Sequence, residues 1–136
     1  MARILVAEDE GVVREFISRA LTFKGHDVVT VSDGGLAAEI LVEEDGGFDL
    51  LLSDIKMPVM DGIALALTAG ADYPDLKIVL MTGFADQRER AHGLDALIHD
   101  VIAKPFTLDM LIKTVTDALE GRPPEIVPLA VSGLRG

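Results

Sequence analysis

Four short apolar runs in this chain end in residues that handle charge. Ile4-Leu5-Val6-Ala7 runs into Glu8 and Asp9, and Leu50-Leu51-Leu52 runs into Ser53 and Asp54. Ile78-Val79-Leu80-Met81 runs into Thr82 and Gly83, and Val101-Ile102-Ala103 runs into Lys104 and Pro105. If the fold gathers these ends, three carboxylates, a hydroxyl and an ammonium share one crevice. Two like charges roughly 4 Å apart repel by about 4 kcal/mol at an effective dielectric of about 20. A proton or a cation must therefore neutralise part of the cluster. A divalent ion that prefers oxygen suits it, most simply Mg²⁺, which accepts one or two carboxylates, keeps waters and leaves room for phosphate oxygens. With such an ion present a carboxylate can attack phosphorus. The ion and Lys104 then offset charge on the transferring oxygens, and Thr82 donates a hydrogen bond. Carboxylate nucleophiles that form aspartyl-phosphate are a known class.

The elements that would position these residues are legible from periodicity. A fifth run, Val28-Val29-Thr30-Val31, leads only to Ser32 and Asp33, which read as a turn and a helix cap. Most runs are continuously apolar, as strands covered on both faces are. Between them, Val12, Val13, Phe16, Ile17, Ala20 and Leu21 form a helical stripe closed by Lys24 and Gly25. Leu36, Ala37, Ile40 and Leu41 form a second, ended by Gly46-Gly47. Asp61-Gly62 opens a third segment, with Asp61 as its cap, but Ile63, Leu65 and Leu67 alternate and leave its period open. Asp86 and Glu89 resemble a capping box for a polar fourth. Leu108, Leu111, Ile112, Val115 and Leu119 mark a fifth behind Thr107. Five strand-then-helix units predict an α/β fold, a five-stranded parallel sheet with helices on both faces. In such a sheet ligands bind outside the carboxyl ends of the strands, where the charged residues fall. Residues 1–120 are expected to form the domain. Residues 121–136, with Pro123, Pro124, Pro128 and Gly133, read as a flexible tail too short for an output domain.

Composition removes other classes. The chain has 136 residues and no cysteine, so disulfides and thiolate metal sites are impossible and a cytoplasmic setting is the default expectation. Its formal charge of −11 repels nucleic-acid backbones and anionic lipid, so neither is an expected partner. No apolar run approaches the roughly 18 residues that would span a bilayer. His26, His92 and His99 show no ligand spacing, and Arg88-Glu89-Arg90 reads as a solvated face.

The set Glu8-Asp9, Asp54-Ile55-Lys56-Met57-Pro58-Val59-Met60-Asp61-Gly62, Thr82-Gly83 and Lys104-Pro105-Phe106 resembles the bacterial response-regulator receiver domain of two-component systems. The resemblance covers about residues 2–120. It implies a flavodoxin-like (βα)5 fold with strand order 2-1-3-4-5. It implies that Asp54 accepts a phosphoryl group from a phosphohistidine on a sensor histidine kinase or histidine phosphotransfer protein. Asp9 would bind Mg²⁺ directly, Glu8 through water, and the backbone carbonyl of Lys56 would complete the protein ligands with Asp54. Lys104 would contact the phosphoryl group, Pro105 would follow a cis peptide, and the Thr82 hydroxyl would shift toward the phosphoryl group and carry its loop along.

One position departs from that pattern. Three residues before the lysine, receivers commonly carry a tyrosine or phenylalanine that swings inward; here the residue is Val101, which is stiff at χ1. The Gly83-Phe84 loop and the fourth helical segment are therefore expected to carry the switch, with Phe84 as the substitute reporter. The stretch from Met81 to Ala91 is also similar to CpdR-type single-domain receivers, which implies a downstream protein target in the ClpXP protease system. Two other functions use the same kind of fold or nucleophile. An Asp-nucleophile phosphatase often has an acid two residues after the nucleophile, where this chain has Lys56. A flavin-binding module on the same sheet needs an uncharged phosphate loop and aromatic stacking partners, and this chain has few aromatics.

Overall fold

The computed structural model describes residues 1–83, 94 and 96–122. Five strands, β1 (Arg3–Ala7), β2 (Asp27–Val31), β3 (Leu50–Asp54), β4 (Lys77–Thr82) and β5 (Asp100–Ala103), form one parallel sheet in the order β2-β1-β3-β4-β5. Four described helices cover it: α1 (Gly11–Phe23), α2 (Gly34–Glu43), α3 (Gly62–Asp72) and α4 (Leu108–Leu119). The expected α/β architecture and strand order are both present. The polar fourth helical segment, with Asp86, Arg88, Glu89, Arg90 and His92, lies outside the described residues, as do Phe84 and residues 123–136 of the tail.

The sheet is buried on both faces because alternate side chains of a strand point to opposite sides. Leu5, Ala7, Leu51, Ile78 and Leu80 pack on one face with Ala37 and Leu41 of α2 and Leu65, Ala66 and Ala69 of α3. Ile4, Val6, Leu50, Leu52, Val79 and Met81 pack on the other with Ile17, Ala20 and Leu21 of α1 and Leu111, Val115 and Ala118 of α4. Two-sided burial is why the strands are continuously apolar. Each fully covered Leu or Ile stabilises the fold by about 2 kcal/mol.

Three helices start on side-chain caps. Asp33 accepts from the Leu36 N–H at 2.8 Å, Asp61 from the Ala64 N–H at 2.9 Å, and Thr107 from the Met110 N–H at 3.1 Å. The Asp61 cap and burial of Leu65, Ala66 and Ala69 make the ambiguous third segment a helix; Leu67 is left on the outside. The α1 stripe is narrower than the sequence suggests. Val12 is 85% exposed and Phe16 41%, because the helix meets the sheet through Ile17, Ala20 and Leu21. Phe16 turns instead toward Phe106, with ring centroids 6.4 Å apart. Leu36 and Leu108, each in the first turn of its helix, are also largely exposed.

His26, which shows no ligand spacing in the sequence, has a structural role: its Nδ1 accepts from the Ala2 N–H at 3.1 Å. Burial, and then the nearby amino terminus, hold its pKa below the ordinary value of 6.5. The fold therefore prefers neutral His26. Its contribution is complete above pH 6.5 and is lost as acid protonates the ring. In urea titrations the native chain should lose stability relative to His26→Gln as pH falls below 6.5; parallel profiles would refute this.

Candidate functional site

The carboxyl ends of β1, β3, β4 and β5 bring the charged residues together. Asp54 and Thr82 are the last residues of β3 and β4, and Lys104 is the first after β5. The ladders run slightly past the strands: the Lys104 N–H donates to the Thr82 carbonyl at 2.8 Å and the Ile55 N–H to the Met81 carbonyl at 3.0 Å. At β1 the Glu8 N–H donates to the Val31 carbonyl at 3.1 Å. Backbone register thus sets the site before any side chain contributes.

Ligand atoms from Glu8, Asp9 and Asp54 lie within 4.8 Å of one another. Glu8 is fully buried, Asp54 nearly so, and Asp9 is exposed. Lys104 Nζ lies 3.0 Å from Asp54 Oδ2 and 2.9 Å from Glu8 Oε1. The first contact is a hydrogen bond; the second is an ion pair outside hydrogen-bond alignment, and Glu8 Oε1 is left buried without a donor. Glu8 Oε2 accepts from the Glu10 N–H at 3.0 Å. Burial pushes the Glu8 carboxyl above its usual range; Lys104 and the Glu10 amide oppose this, and Asp54 adds to it. Burial alone would lower the Lys104 ammonium, but Glu8 and Asp54 together hold it above its ordinary value.

Asp9, Asp54, Lys56 and Lys104 line one cleft of about 570 Å³, with Glu10, Met57, Pro58 and Gly83. Thr82 is buried at the end of its strand. The Lys104–Pro105 peptide is cis, as the resemblance implies. Val101 is partly buried against the core cluster beneath α2 and α3. Phe84, the other proposed switch residue, lies outside the described residues. An all-oxygen donor set of three clustered carboxylates, two of them buried, fits a hard divalent cation that keeps part of its water shell.

Two residues have a place in the site that residue spacing did not assign to them. Glu10 is the third acid of the first run, and its Oε1 lies 3.9 Å from Lys104 Nζ. Gly62 follows Asp61, and a methyl group built there would overlap the Asp54 carbonyl oxygen and lie 2.9 Å from Ile55 Cα. Its place right after the Asp61 cap was the available signal. In the same loop, Val59 is 84% exposed with φ +70°, a conformation that a β-branched residue rarely adopts. Such a residue stores about 1–3 kcal/mol. Glycine removes that strain and costs about 0.5–1 kcal/mol in chain entropy. Val59→Gly should therefore raise unfolding free energy by about 1 kcal/mol; a lower denaturation midpoint would contradict this.

The family model described as the response regulator receiver domain matches residues 4–116. The chain is 42% identical over 119 residues to the response regulator receiver protein CpdR of Brucella abortus, covering 88% of this chain and 98% of that one. It is 34% identical over 123 residues to the response regulator MprA of Mycobacterium avium; that match takes in 90% of this chain but spans only about half of MprA, 53%. Among solved structures, the response regulator TrrA of Thermotoga maritima, in complex with Mg(2+)-BeF, superposes with a TM-score of 0.76 at 28% identity, over 87% of this chain and 99% of that one. No helix among the described residues is long and apolar enough to cross a membrane. With an acidic cleft at the strand ends, the family's sheet order and a family match across most of its length, the chain belongs to the response-regulator receiver domains of two-component signalling.

Proposed function

We propose that the chain is a phosphorylation-switched signalling module in which Asp54 accepts a phosphoryl group. The observation that carries this reading is Asp54 at the end of β3, with Lys104 Nζ 3.0 Å from its Oδ2 and acids from β1 beside it. The donor would be a phosphohistidine on a sensor histidine kinase or phosphotransfer protein. A carboxylate oxygen of Asp54 forms the new O–P bond as the P–N bond of the donor breaks, and the imidazole leaves with the bonding pair and takes up a proton. Asp54, Asp9, the Lys56 carbonyl and Glu8, through water, would hold Mg²⁺, which when bound offsets charge on the phosphoryl oxygens. Lys104 is anchored by Glu8 and so remains beside Asp54 while it moves one hydrogen bond from the carboxylate to a phosphoryl oxygen. The Thr82 hydroxyl would donate to another, and the motion of its loop would alter the partner-binding face.

The domain is taken as residues 1–120, with 121–136 as a tail. The setting is cytoplasmic, and the chain is a phospho-acceptor rather than a substrate-turnover enzyme. The likeness to CpdR supports a downstream protein target, with ClpXP proteolysis as its specific form. Val101 supports a switch without an inward-swinging ring at that position, and Phe84 is the proposed substitute.

Intact-mass measurement after incubation with Mg²⁺ and acetyl phosphate tests the chemistry. One added phosphoryl group is expected, and none when EDTA is present from the start. An unchanged mass, or rapid multiple turnover of small phosphate esters, would overturn the reading. Capture of partner proteins with and without that treatment then tests the output.

A further inference from the structure

We infer that Gly34, the first residue of α2, is a positioning residue that pins the β3–α3 loop and thereby sets the Lys56 side of the phosphorylation cleft. The inference rests on the phospho-acceptor reading. Gly34 is buried, and a methyl group built on it would overlap the Met60 carbonyl oxygen and lie 2.8 Å from the Met60 carbonyl carbon. The obstacle is backbone, so it cannot rotate away as a side chain would. On Gly35 the same methyl would lie 2.6 Å from Val59 Cγ1, the end of an exposed side chain that can yield.

The pinned loop is also held at its two ends and, in its middle, by Met57, which packs in the core and accepts from Ser53 Oγ at 3.9 Å. The Ile55 N–H donates to Met81 and the Gly62 N–H donates to the Ile55 carbonyl at 2.7 Å. Between them, the Met60 N–H donates to the Pro58 carbonyl at 2.8 Å, and Val59 takes up its left-handed conformation. Lys56, Met57 and Pro58, which line the cleft, lie inside this closed segment. Anything that moves the Met60 backbone must move these residues or break the turn. The atoms nearest a methyl on Gly34 belong to Met60 and not to the acids of the cleft; Gly34 acts through the loop that would present the Lys56 carbonyl. Supporting residues of this kind hold ligand geometry, and their loss typically weakens metal binding about 10–100-fold.

The full chain and its Gly34→Ala variant are compared by amide chemical shifts without metal and by calorimetric titration with Mg²⁺ alone. The Lys56 and Met57 amides should shift, and Mg²⁺ affinity should fall about tenfold. Val59→Gly added to Gly34→Ala gives the loop backbone room to yield and should recover affinity to within about threefold of the native chain, a rescue that a general loss of stability would not produce. If Gly34→Ala alone does not fold, the comparison is made on the Gly34→Ala, Val59→Gly double variant, whose Met60 and Lys56 amides should still be displaced from those of Val59→Gly alone. Unmoved Lys56 amides and native Mg²⁺ affinity in a folded variant would overturn the pin. Moved amides in a protein whose native form takes up no Mg²⁺ would uphold the pin and overturn the phospho-acceptor reading.

Discussion

Asp54→Asn should gain no mass with Mg²⁺ and acetyl phosphate under conditions that add one phosphoryl group to the native chain, while remaining folded. The amide has no charge to drive attack on phosphorus, and neither neighbouring acid can replace it. Glu8 is fully buried and held by the Glu10 amide and the Lys104 ion pair, and Asp9 sits exposed at the rim. The fold should tolerate the change, because the amide oxygen can still accept from Lys104 and one repelling charge leaves the cluster. The Glu8 carboxyl, raised first by burial and further by Asp54, should relax toward its ordinary range. We expect stability within about 1 kcal/mol of native, since a lost charge-assisted bond and relieved repulsion nearly offset each other. Persistent phosphorylation of Asp54→Asn would move the acceptor elsewhere. Unfolding of the variant would show that Asp54 is needed for the fold as well as for chemistry.

Lys104→Met should be the most destabilising single change in the cleft when no divalent cation is present. Methionine keeps most of the length of the side chain and removes its charge. Glu8 is then a fully buried carboxylate with one backbone donor and no cation. Breaking a buried pair from one side typically costs about 3–5 kcal/mol. The penalty should shrink as pH falls, because burial already raises the Glu8 carboxyl and loss of Lys104, which opposes that, raises it further. Saturating Mg²⁺ should return part of the loss, about 2.7 kcal/mol at a hundred times the dissociation constant. Glu8→Gln in the same chain should recover most of it without metal. Urea denaturation of the native, single and double variants at neutral and mildly acidic pH, with EDTA or Mg²⁺, decides the matter. A cost below about 1 kcal/mol at neutral pH would place Lys104 among weak, solvent-screened pairs.

Much of this was readable in the residue order. Continuous apolar runs between helical stripes imply a two-sided parallel sheet, and in such a sheet the residue after each strand has a known address. That is why Glu8, Asp9, Asp54 and Lys104 could be placed together from the residue order. Helix caps were equally legible at Asp33, Asp61 and Thr107, because capping is settled within four residues. The stripes were less faithful. Val12 and Phe16 share the apolar spacing of Ile17 and Leu21 yet stand outside the core, since spacing defines a helix face but not how much of it a neighbour covers.

By itself, then, the amino-acid order determined the chemical types in the cleft and their places at strand ends, because periodicity, capping and strand polarity are local properties. Tertiary structure alone decided that Glu8 is buried while its neighbour Asp9 is exposed, and that Lys104 reaches back 50 residues to Asp54. It also brought Gly34 against Met60 and left no room for a side chain there. These are relations between segments far apart in the chain. Sheet register and close packing set them, and no short stretch of residues encodes either.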